Sequence, residues 1–255
     1  MKLFFTVCIC FFLHATIFGQ TAPLHTYADN SNAWLMYFGD HKISDNWGVH
    51  LEAQWRRNGF FTNPQQLLLR TGINYHFNAQ SFITLGYCFV ETNPYGGYPA
   101  KSSFPENRFW EQLQIKSQLN RFELVSRFRL EQRFSKLPVL NIAVYEPGDA
   151  VYTNRFRLLN RFSLPFKGKT IVDKSFFLTT YDEILVNFGD NVAANAFDQN
   201  RAYFAIGYKV PKLGRLEIGY MLQTIFKPDG IKIERNHNIQ VGMISTLDFY
   251  KKNSN

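Results

Sequence analysis

A chain of 255 residues carrying 26 Phe, 13 Tyr and 4 Trp beside 28 basic and 20 acidic side chains is too aromatic to be disordered. The mean hydropathy is slightly negative and the one long apolar run is N-terminal, which excludes a bundle of membrane helices but not a barrel of amphipathic strands. The net charge of +8 does not point to nucleic acid, because the basic residues interleave with acids along the chain rather than forming one stripe.

The first element is Lys2 followed by LFFTVCICFFLHATIF, Gly19 and Gln20: a charged start, a short apolar core and a small residue before polar sequence. That pattern predicts an export signal over residues 1–19 and a single mature domain over 20–255, with no linker dividing it. Cys8 and Cys10 leave with the signal. Cys10 follows Val7, Cys8 and Ile9 and so lacks the small residue that precedes a lipidated cysteine. Cys88 remains alone, unable to form an internal disulfide and expected as a small packed side chain.

From there the period is two. Trp47, Val49, Leu51, Ala53 and Trp55 alternate with Gly48, His50, Glu52, Gln54 and Arg56. Leu67, Leu69, Ile73, Tyr75 and Phe77 oppose Gln66, Arg70, Gly72, Asn74 and His76, with Leu68 and Thr71 blurring the pattern. Similar alternation runs through Ile83 to Phe89, Phe109 to Leu119, Phe122 to Leu130, Phe156 to Leu164, Ala202 to Tyr208, Leu216 to Leu222 and Ile239 to Leu247. A first strand near Trp34 to Phe38 and one over 176–188 bring the candidates to eleven. Short connections (78–81, Asn120-Arg121, 211–214) alternate with long ones (93–106, 135–150, 189–199), as in outer-membrane barrels.

A soluble exported sandwich binding module is the competing architecture, since its strands also alternate. Two features favour the membrane barrel: a polar face densely charged with both signs, and an apolar face whose strand ends are aromatic, as at Trp47, Trp55, Tyr75, Phe77, Tyr208, Phe226 and Phe249. Leu51, Leu69, Leu124 and Phe128 are then expected outward. The expectation is an all-β, transmembrane, antiparallel up-and-down barrel. An even strand count places both chain ends on one side, so either LHTYA (24–28) adds a strand across an ADNSN turn and makes about twelve, or the Trp34 segment lies elsewhere and the count is ten.

The segments EAQWR (52–56), RFRLEQRF (127–134), YDEILVNFGD (181–190), FDQNRAYFAIGYKV (197–210) and HNIQVGMISTLDF (237–249) resemble an uncharacterised bacterial outer-membrane family, domain of unknown function 2490. The resemblance implies an outer-membrane β-barrel of a Gram-negative cell, and it carries over no activity, cofactor or catalytic residue. Such a chain has outer-membrane lipids, lipopolysaccharide and the barrel-assembly machinery as its expected partners, with no nucleic acid. The sequence leaves its oligomeric state open.

The lumen candidates are Arg127, Arg129, Glu131 and Arg133 on one strand, Arg155, Arg157 and Arg161 on the next, then Glu183, Arg201 and Glu217. Facing inward, they form either an anion-attracting pore lining or a salt-bridge network that fills a narrow barrel and closes it. Asp182, Asp198, Gln199 and Asn200 form a second group, expected to anchor the loop that joins their strands. Its spacing lacks a regular calcium-loop pattern, and no metal or cofactor is indicated. No catalytic residue is assigned. The runner-up function, a lipid-modifying hydrolase of the outer membrane, has only His237 and Ser245 as a same-strand pair, too far apart for a hydrogen bond.

Overall fold

The computed structural model describes residues 24–250, so the expected export signal lies outside the described residues. Within them the strands are β1 (Thr26–Lys42), β2 (Trp47–Asn58), β3 (Asn63–His76), β4 (Ser81–Thr92), β5 (Phe104–Leu119), β6 (Phe122–Ser135), β7 (Pro138–Asn141), β8 (Val144–Pro147), β9 (Val151–Pro165), β10 (Phe176–Phe188), β11 (Phe197–Val210), β12 (Gly214–Phe226) and β13 (Lys232–Ser245). Eleven of them close a barrel in the order β1-β13-β12-β11-β10-β9-β6-β5-β4-β3-β2, and β7 pairs with β8 as a separate hairpin.

The all-β closed barrel is as expected, but its strand count is eleven, neither twelve nor ten. β1 runs parallel to β13, from Thr26 opposite Lys232 to Gly39 opposite Ser245, while the other neighbouring pairs in the barrel are antiparallel. An antiparallel meander needs an even number of strands for its first and last to pair; one parallel seam closes an odd number. The proposed ADNSN turn does not form. Residues 28–32 instead continue β1, and Asn30 and Asn32 are consumed as buried seam partners.

Connections 43–46, 77–80, 120–121, 166–175 and 211–213 lie at one end, here the turn end, with the end of β13. Connections 59–62, 93–103, 136–150, 189–196 and 227–231 lie at the other, the loop end, with the start of β1. The asymmetry is real but incomplete, because 166–175 is a long connection at the turn end, and 136–150 holds the β7–β8 hairpin rather than irregular chain. Asn120, at the tightest turn, has φ of 55°, a left-handed conformation that Asn tolerates better than most residues.

Alternation decides which face each side chain meets. On β2, Leu51 and Trp55 are exposed and His50, Glu52, Gln54 and Arg56 are buried; on β6 the same split separates Phe128 from Arg129 and Glu131. The outer wall is therefore apolar, and rings collect at both of its rims. Trp47, Tyr75 and Phe77 touch in sequence at the turn end, as do Phe166, Phe176 and Tyr208. Trp55 meets Phe61, Phe134 meets Tyr152 and Phe197 meets Phe226 at the loop end.

The interior holds two apolar clusters among its polar groups. Leu68, Cys88, Val90 and Trp110 form one, which gives Cys88 its packed role and explains why Leu68 breaks the outer pattern of β3. Trp110 fits because Gly72 and Gly86 stand beneath its indole: a Cβ at Gly86 would approach the ring to 2.7 Å. Trp34, Met36, Tyr203, Ala205 and Met221 form the other, joining β1 to β11 and β12 across the lumen.

Candidate functional site

Salt bridges that link strands not adjacent in the sheet can only cross the barrel interior, and they place the charged face of the sequence there. Glu131 on β6 is fully buried and is the hub. Its Oε1 accepts from Arg157 at 2.8 Å and Arg70 at 3.1 Å, and its Oε2 accepts from Arg155 at 2.7 Å; Arg108 stands 3.6 Å away and Arg129 4.0 Å away. Arg157 also donates to Glu183 Oε1 at 2.7 Å, making the bridge to a second hub. Glu183 accepts in addition from Arg127 at 2.8 Å and Arg201 at 3.2 Å.

Around these hubs, Arg133 forms a two-pronged pair with Glu106 at 2.8 and 2.9 Å, and Arg161 pairs closely with Glu217. Arg70 also reaches Glu52 at 2.5 Å. On the other side of Glu52 lies His50, whose second ring nitrogen meets Asp40 at 2.8 Å. Arg129 binds Gln112 Oε1 through two nitrogens at 3.0 and 2.6 Å and lies 4.5 Å over the Trp110 ring. All ten residues read from the sequence as lumen candidates thus sit in the interior network. Sequence reasoning did not single out Glu52, Arg56, Arg70, Glu106 and Arg108, although the same alternation marks the polar faces of their strands.

The second predicted group does not stay together. Asp182 and Asn200 lie on the outer wall, where Asn200 Nδ2 donates to Asp182 Oδ2 at 2.9 Å. Asp198 and Gln199 turn inward: Asp198 accepts from Arg155 Nη1 at 2.8 Å, and Gln199 Oε1 accepts from Arg201 at 3.0 Å and Gln223 at 2.8 Å. A bulge causes the split. Leu185 pairs with Gln199 and Val186 with Phe197, so Asp198 is the extra residue and two consecutive side chains reach the same face. Glu183 and Arg201 pair as register partners in the interior. His237 faces outward between Tyr220 at 2.6 Å and Asp29 at 3.4 Å, while Ser245 is buried.

The network divides the lumen. A cavity of about 1060 Å³ opens toward the loop end, bounded by Tyr95, Tyr98, Lys101, Arg56, Arg133 and Lys232 among others. A smaller one of about 250 Å³ lies toward the turn end, between Asp40, Lys116, Glu123, Lys209 and Arg215. Gln54, Arg157 and Arg201 line both, and the septum between the cavities is completed by the buried Arg129, Glu131 and Glu183. Pairs this deeply buried add little net stability over apolar packing, but removing one partner leaves a charge without solvent or counter-ion. The arrangement is an ion-pair network between the two cavities, held by its own reciprocity. Among the described residues, no group of three or more His, Cys, Asp or Glu is placed to hold a metal ion.

Residues 31–237 match a family described as "Protein of unknown function (DUF2490)". No curated protein and no solved structure matches the chain.

Proposed function

This chain belongs to the DUF2490 family, whose function is unknown, and we propose that it is an outer-membrane β-barrel with its lumen closed at rest, serving as a structural element or as a narrow passage that opens when the septum is broken. The inverted polarity of the wall carries this reading. Exposed Leu51, Leu69, Leu85, Phe109, Phe128, Phe204 and Ile218 face outward on strand after strand while charge is gathered inside, the opposite of a water-soluble barrel. Strands of 12 to 17 residues exceed the roughly 9–11 needed to cross a bilayer at a tilt. The two aromatic rims suit the two membrane interfaces. Together with the export signal expected from the sequence of residues 1–19, these features favour the outer membrane of a Gram-negative cell. The turn end then faces the periplasm and the loop end the outside, toward lipopolysaccharide.

Fractionation followed by gel electrophoresis tests the location. Expected are recovery with outer-membrane lipids and a band whose mobility shifts on heating; a detergent-free periplasmic protein would sink the proposal. Planar bilayers test the septum: the native barrel is expected to stay silent across voltage, while an Arg129→Ala, Arg157→Ala double variant gives discrete conductance steps. Steady large conductance in the native protein would remove the closed-at-rest reading.

A further inference from the structure

We propose that the loop-end cavity binds a multivalent oxyanion, seated on Arg56, Arg70 and Arg201. The charge balance of the interior motivates the assignment. Around this cavity and the septum below it, nine arginines and the lysines Lys101, Lys227 and Lys232 face seven carboxylates, Glu52, Glu106, Glu131, Glu183, Asp198, Asp229 and Glu234. Lys232 pairs with Asp229 and Lys227 with Glu234, so the arginines of the low-dielectric wall outnumber their own five carboxylates by four and call for anions that the chain itself does not supply.

Particular atoms show where the shortfall lies. Every hydrogen bond of Arg56 goes to a neutral side-chain amide, that of Gln54 or Gln66, and its guanidinium stacks 3.9 Å over the Trp34 ring without a carboxylate partner. Arg70 Nε and Arg201 Nε are buried without a hydrogen-bond partner. All three side chains line the cavity, and all three residues are more than nine-tenths buried. The acids that line the same space are already engaged: Glu106 by Arg133 and Ser135, Asp198 by Arg155, and Asp229 by Lys232. What remains is donors without acceptors. A guanidinium fork matches carboxylate or phosphate geometry, and several forks around one space select an anion with more than one charged group. The volume of about 1060 Å³ accommodates a molecule of drug size or a short charged sugar, since such ligands occupy sites of roughly 300–1,000 Å³. Lys101, on the 93–103 connection at the mouth, extends the same field to the entrance.

The site stands on the interior geometry and not on the membrane location, so the two proposals fail separately. The full chain refolded in detergent, checked for the heat-modifiable band, is titrated calorimetrically at low salt with pyrophosphate and, in a second arm, with citrate. Saturable binding of at least one probe at one site per barrel is expected, a phosphate-only response naming phosphorylated ligands and a citrate response polycarboxylates. Arg56→Gln removes a charge without orphaning any acid and is expected to weaken binding by about tenfold or more, the loss of one charge-assisted contact. Lys101→Glu, on an exposed loop, weakens it too and covers the event that Arg56→Gln misfolds. Arg57→Gln, one residue along but pointing to the outer face, leaves affinity unchanged. Absence of saturable binding of either probe to a heat-modifiable barrel, or equal affinity in the native chain, Arg56→Gln and Lys101→Glu, overturns the site.

Discussion

The two sides of the lumen solve the same problem with different chemistry. Along the parallel seam, Asn30, Asn32, Asn236 and Asn238 form a ladder of neutral amides: Asn236 Oδ1 accepts from Asn30 at 3.0 Å and Asn32 at 3.3 Å, Asn32 reaches Asn238 at 2.9 Å, and Asn58 donates to Asn32 at 2.8 Å. The far wall, from β5 through β6, β9, β10 and β11, uses Arg and Glu instead. An amide both donates and accepts, so a ladder of them satisfies itself locally and tolerates the slanted bonds of a parallel pair. Guanidiniums only donate and carboxylates only accept, so the wall must interleave them across several strands. The seam is repairable one residue at a time; the wall stands or falls with its hubs.

The sharpest break is at Glu131. Glu131→Ala leaves Arg70, Arg155 and Arg157 without their shared acceptor, and a loss of about 3–5 kcal/mol is expected, read as a lower denaturant midpoint for loss of the compact band. The next contrast sets the two faces of one strand against each other. Phe128 sits at the middle of β6 and points outward, so Phe128→Arg should cost about 2–4 kcal/mol in a bilayer. Leu124 also faces outward but is only two residues from the start of β6, where the same change should cost about 0–1 kcal/mol. Equal costs at the two positions would mean that the wall meets no hydrocarbon.

Alternation made much of this legible in advance. It located the eleven barrel strands, because period two survives wherever one face meets charge and the other apolar surroundings. Strand count failed on parity, a rule about how ends meet that no local pattern encodes, and the parallel seam is written only in polar residues such as Asn30 and Asn32 that resemble turn formers. The Glu131 hub was found because Arg and Glu alternate densely on β6 and its partner arginines recur on the inward face of β9. Arg70 is the lone Arg, Lys, Asp or Glu of β3 and Arg56 sits among amides, and their importance comes from partners distant in sequence, Glu131 and Trp34. The split of Asp198 from Asn200 depends on a bulge, and a one-residue insertion in one strand is invisible until its partner's register is known.

On the seam the expected effect is smaller. Asn236→Ala removes the acceptor shared by Asn30 and Asn32, yet Asn32 keeps Asn238, so a loss of about 1–3 kcal/mol is expected in the same unfolding assay. A loss equal to that of Glu131→Ala would erase the distinction between a repairable seam and a hub-dependent wall.

The smallest effect belongs to the loop-end rim beside the seam, where charge meets solvent. Asp229 Oδ1 accepts the backbone N–H groups of Ile231 at 3.0 Å and Lys232 at 2.9 Å, while Lys232 Nζ lies 3.1 Å from Oδ2. The backbone donors, Lys232 N–H first, hold the Asp229 carboxyl down at about 2, below its usual 3.8, with the Lys232 side chain contributing less. A depressed carboxyl favours the folded turn above its unfolded value and loses that contribution as pH falls through about 2. Because the group is exposed, global stability near neutral pH should not change measurably in Asp229→Asn. The titration itself is the discriminating measurement. Carboxyl NMR should place the Asp229 midpoint near 2 in the native chain, and Lys232→Met should leave most of the depression in place. A return to the ordinary aspartate value in Lys232→Met would show that the ion pair, and not the turn's own backbone, holds the charge, making this rim a shallow copy of the wall rather than of the seam.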